Sequence, residues 1–115
     1  MIRRVFLCCL MLGLLAGCAR RAAEIEPLPA PPQAFAGASC MDLVALRAKR
    51  SQALIFLGMA QDQLSEDDST RTLGVPTPHG VLFGTDREPD IATLKGELHA
   101  LNRAMRDKGC IPDYR

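Results

Sequence analysis

The chain has 115 residues, of which 14 are basic and 13 acidic, with no tryptophan, one tyrosine and four phenylalanines. That length bounds it to one small domain, and the balance of charge leaves no basic excess to hold nucleic acid. Two histidines without zinc spacing, and the lack of any GxSxG, HExxH or phosphate-cradling glycine loop, give no catalytic or metal site to assign. The residues predict a non-enzymatic protein that needs no cofactor.

Arg3 and Arg4 open the chain, and Val5 to Ala16 then runs for twelve residues without a charge. A spanning helix needs about 20 apolar residues, so this run matches the apolar core of a signal peptide and is too short to cross a bilayer. It ends in Leu15-Ala16-Gly17-Cys18, which resembles the lipobox of bacterial lipoproteins. The resemblance covers the first eighteen residues and carries no fold. It implies that residues 1–17 are a cleaved signal peptide and that Cys18 becomes the lipidated first residue of the mature chain. Ala19 is not the aspartate that marks inner-membrane retention in many such proteins, which implies a palmitate-type anchor on the periplasmic face of the outer membrane. Several acyl chains at roughly 0.8 kcal/mol per buried CH₂ suffice to hold a chain without a protein helix in the lipid.

On that reading Cys8 and Cys9 leave with the signal peptide and Cys18 is taken by lipid, so two of the five cysteines remain. In an oxidising compartment Cys40 and Cys110 are most simply a disulfide, worth about 4 kcal/mol in the chain-entropy model for a loop of about 70 residues. Loss of Arg3 and Arg4 lowers the basic count from 14 to 12 against 13 acids. Arg20 and Arg21 would then lie beside the lipid, within reach of anionic headgroups.

Residues 18–38 read as the lipidated cysteine and a tether. Four prolines fall between Pro27 and Pro32, and proline favours extended chain at about 3.1 Å per residue, a spacer reaching several tens of Å. Residues 39–115 read as the folded domain. Ser39 with Asp42 three residues on forms a capping-box pattern for a first helix from Met41 to about Leu64. Leu43, Leu46, Ala53, Leu57, Ala60 and Leu64 make its core stripe. A second helix starts at Asp86-Arg87-Glu88-Pro89-Asp90, follows the seam Ile91, Leu94, Leu98, Leu101 and Met105, and stops at Gly109 before Pro112.

The two cysteines lie at the start of the first helix and the end of the second. The predicted fold is therefore mainly α, an antiparallel two-helix hairpin stapled at its open end. The tether enters at that end, so the connecting loop should point away from the membrane. Residues 65–85 form that loop, in which Arg71 to Val75 and Val81 to Phe83 fit either a small β-hairpin or an irregular segment packed on the helices. The first helix carries more apolar surface than one seam can cover, notably in Ala53 to Ala60. Phe56, Val81, Leu82 and Phe83 are accordingly candidate partner-binding residues, for an envelope protein or a second copy. A small-ligand or metal-binding module using His79, Asp67 and Asp68 is the alternative reading of the loop.

Overall fold

A computed structural model describes residues 18–74 and 86–110, with side chains placed at 18–67 and 86–110. Helix α1 spans Cys40–Gly74 and helix α2 spans Glu88–Lys108, preceded by a single 3₁₀ turn at Ala22–Glu24. Among the described residues there is no strand. The helices pack antiparallel, as the two ends of the pair show. Cys40 and Cys110 are joined in a disulfide with their Cα atoms 5.3 Å apart. At the opposite end Gln61 of α1 bonds to Asp86 and Arg87, just before α2 begins.

The helix ends follow from their residues. Ser39 Oγ accepts from the Asp42 amide at 3.2 Å and donates to the Asp42 carboxylate at 2.8 Å, a capping box closed between the two side chains. Glu88 and Asp90 sit in the first turn of α2 with Pro89, and Arg106 and Lys108 in its last, each sign where the macrodipole favours it. Gly109 caps α2 at φ 67°, in the left-handed region that glycine enters without a Cβ clash. Its amide and that of Cys110 close onto Arg106 and Met105.

The core has two centres. Leu43, Leu101 and Met105 are fully buried beside the disulfide, with Phe35, Ala38, Leu46 and Ala104 against them. Towards the other end Ile91 is buried, as are Ile25 and Ala19 from the segment before the helices. The predicted seam of α2 therefore faces inward, with Leu94 and Leu98 half-buried between the two centres. On α1 the stripe is shifted: Ala60 is exposed and Gln61 lies fully inside.

Two expectations need correction. Helix α1 does not end near Leu64 but continues through residues 65–74, read from the sequence as loop. No proline or glycine interrupts that stretch before Gly74, and Pro76 then disfavours helical backbone in the residue before it. Arg71 to Gly74 is thus helical and cannot be the first arm of a β-hairpin. Val75, His79, Val81, Leu82 and Phe83 lie outside the described residues.

The second correction concerns the tether. Residues 19–38 are not a free extended spacer but a strap laid along the hairpin. The Leu28 amide donates to the Ala92 carbonyl at 2.8 Å, and a Cβ built on Gly96 would stand 1.6 Å from the Leu28 oxygen. The glycine in the middle of α2 is what lets the strap backbone lie directly on the helix. Only its middle, from Ile25 to Ala30, runs extended, as its prolines favour; Ala19 and Ile25 are buried at one end, and from Pro31 to Ala38 the chain folds into successive turns towards the disulfide.

Candidate functional site

The strap is fixed by directed polar contacts. Lys95 reaches from α2 to donate to the Ala22 and Ile25 carbonyls at 2.6 and 2.7 Å, gathering the 3₁₀ turn around its ammonium. The Ala22 amide donates to Asp62 at 2.7 Å. Arg20 pairs with Glu88, and that hydrogen bond, with the acid's charge behind it, raises the guanidinium above its ordinary pKa. At the other end Lys108 donates to the Ala38 carbonyl.

Gln61 joins three segments at once. Its Nε2 donates to the Arg20 carbonyl at 2.9 Å and to Asp86 at 2.7 Å, while its Oε1 accepts from the Arg87 amide at 2.9 Å. Asp86 also accepts from the Glu88 amide at 3.0 Å, so it fixes the entry to α2. A fully buried amide with both donors and its acceptor engaged costs nothing for its burial and makes the three segments interdependent. Further along, Arg47 donates to Asn102 at 2.7 Å. Arg50 Nε lies 2.6 Å from Glu97, an ionic contact whose N–H is not aimed along the bond.

These contacts place Cys18. It stands two residues before Arg20, at the level of Gln61, which is about 30 Å along α1 from Cys40 at 1.5 Å per residue. The strap joins α1 at the disulfide end, as expected, but then doubles back. The candidate lipid-bearing residue therefore lies at the connection end of the hairpin, not at its stapled end, and it is half-buried.

With α2 and the strap in place, one long face of α1 stays open. Met41 is 83% exposed, Phe56 and Met59 69%, and Val44 and Ile55 at least half. Ala45, Ala48, Gln52 and Gln63 are exposed among them. At 100° per residue these positions form one band down the helix, opposite Leu43, Leu57 and Gln61. Of the four candidate partner-binding residues, Phe56 sits in this band, and Val81, Leu82 and Phe83 fall in the segment not described. Leu43 to Leu64 could be found by apolar periodicity; the strap's anchors could not, because Gln61, Lys95 and Gly96 carry no apolar signal. A glycine within a run of helix formers was the one available hint.

Chemically the surface is plain. A shallow groove of about 370 Å³ runs between strap and α2, lined by Pro27, Pro29, Pro32, Gly96, His99 and Arg103. It holds no paired nucleophile and base. Among the described residues no three His, Cys, Asp or Glu side chains are grouped to hold a metal ion, and no helix is long and apolar enough to cross a membrane. Asp67 is half-buried on α1, while the side chain of Asp68 and all of His79 lie outside the described residues. Compared with protein-family models, with curated proteins and with solved structures, the chain matches none of them.

Proposed function

We propose that this chain is a non-enzymatic envelope lipoprotein, anchored through lipid on Cys18 to the periplasmic face of the outer membrane, that presents the open face of α1 to a protein partner as an accessory or assembly subunit. The observation that carries this reading is the exposed band from Met41 to Gln63. Its large apolar side chains share one helix face, Met41 and Val44 near the start and Ile55, Phe56 and Met59 further along, and exposed apolar patches mark interaction sites.

The position of Cys18 adds an orientation. Helix α1 continues from Asp62 to Gly74, about 18 Å past the level of the anchor. Asp62, Glu66, Asp67 and Asp68 lie on that overhang, and carboxylates do not enter hydrocarbon or approach anionic headgroups. The anchored hairpin therefore lies along the bilayer instead of standing with its connection end in it.

Cys18→Ser tests the anchor: the mature chain should leave the membrane fraction or accumulate unprocessed. Unchanged processing and attachment would count against lipidation. A photo-crosslinking residue at Phe56 in intact cells should give a defined protein adduct that disappears with Met59→Asp. Adducts to lipid alone, or none, would remove the partner-binding role.

A further inference from the structure

We infer that the occupant of the open face is a second copy of this chain, packed antiparallel, with the two α1 helices crossing near Gln52. This rests on reading the face as an interaction surface and names its partner. Met41, Ala45, Ala48, Gln52, Ile55 and Met59 step alternately by four and three residues, the spacing of a coiled-coil seam, and all six are exposed. Opposite faces of one helix thus carry two seams, of which α2 fills one.

Side-chain size sets the direction. Before Gln52 the seam narrows to Ala45 and Ala48 after Met41, and beyond it the face is large, with Ile55, Phe56 and Met59. Antiparallel pairing about Gln52 puts Ala45 at the level of Met59 of the other copy and Ala48 at the level of its Ile55 and Phe56, so in these two layers small meets large. Parallel pairing would stack Phe56 on Phe56 and leave a gap between alanines, and a gap forfeits contacts on both sides. Gln52 meets its own counterpart at the crossing, where a single polar seam residue fixes register. The exposed apolar side chains offer several hundred Å² per copy, the order of the ~800 Å² per partner in a standard interface.

The anchor geometry fits the same symmetry. The 3₁₀ turn lies against Gly58, with Ala22 Cβ 3.5 Å from the position of a Gly58 Cβ, and against Asp62. At 100° per residue Gly58 lies about a quarter turn and Asp62 about a sixth of a turn round α1 from the midline of the seam, on the same flank. A dyad relating antiparallel helices runs perpendicular to both axes, along that flank, and leaves the two straps on the same side of the pair. Both Cys18 residues then face one leaflet while the paired rods lie along it.

The test is crosslinking of the full-length chain in the envelope of a bacterial host with a short bis-maleimide, read by mass against the unaltered chain. Gln52→Cys should crosslink to itself. Ala45→Cys and Met59→Cys should each fail alone, because their copies lie about 21 Å apart, and should crosslink when expressed together. Phe56→Asp introduced into the Gln52→Cys chain should reduce the dimer adduct at least about tenfold with helix content and the Cys40–Cys110 bond unchanged. Self-crosslinking of Ala45→Cys and Met59→Cys, an adduct whose mass is not twice the chain, or no adduct at any of the three positions would each overturn the proposal. Repeating the series with Cys18→Ser separates failure of pairing from failure of the lipid reading, since that change removes the anchor and leaves the seam intact.

Discussion

The two long faces of α1 are built by different rules. The inner face mixes apolar residues with Arg47, Arg50 and Gln61, and each of these polar side chains meets a named partner on α2 or at its entry. The outer face offers no such directed contacts: methionine, valine, isoleucine, phenylalanine and alanine, with Gln52 at its centre. Directed contacts specify one neighbour in one register, so the inner face is committed to α2 and the strap. An apolar band carries no such direction or register. The difference teaches that α1 is specified by directed contacts on one side and leaves an apolar band uncovered on the other.

The largest stability effect should come from opening the inner side at its staple. Cys110→Ser removes the covalent link between the helix ends and should lower unfolding free energy by about 4 kcal/mol in the chain-entropy model, measured as a drop in denaturation midpoint. Next is Gln61→Leu, similar in size but without donors or acceptor. It strands the Arg20 carbonyl, Asp86 and the Arg87 amide, and should cost about 2–3 kcal/mol in the same denaturation experiment. Amide exchange should quicken at Leu28 as well as Arg87, since strap and α2 entry share that side chain.

Gly96→Ala tests the strap more narrowly. Alanine favours a helix interior over glycine by about 1 kcal/mol, but here its Cβ would overlap the Leu28 carbonyl. Overpacking of this kind typically costs about 1–3 kcal/mol, so the sum should be a modest loss of stability, with protease cutting between Ile25 and Ala38 accelerated and both helices kept. A stabilised chain with a protected strap would show that the strap does not lie on α2. The smallest stability effect belongs to the outer face: Phe56→Asp should change the unfolding midpoint by no more than about 0.5 kcal/mol. If it destabilises the isolated chain by several times that, the outer face is packed against something of its own and the contrast between the faces fails.

Much of the hairpin was legible in the residues. Ser39-Cys40-Met41-Asp42 marked one helix start and Gly109 one helix end because capping uses side chains and backbone angles only a few positions apart. The cysteine pair added the direction of packing, since a bond between Cys40 and Cys110 is compatible only with helices running opposite ways. The full extent of α1 is not legible because charged residues 66–68 look like a helix exit, whereas a carboxylate in a solvated turn does not end a helix and the first strong breakers are Gly74 and Pro76.

The sequence by itself determined the local elements, the staple and the excess of apolar surface on α1, all of which depend on neighbours within a turn or on a covalent bond. Only the tertiary structure decided that the proline-rich segment docks, that Gln61, Lys95 and Gly96 hold it, and that Cys18 ends up some 30 Å from the disulfide. Those facts depend on one polar group meeting another across some 25 to 70 residues of chain, and nothing in a side chain's local surroundings announces so distant a partner.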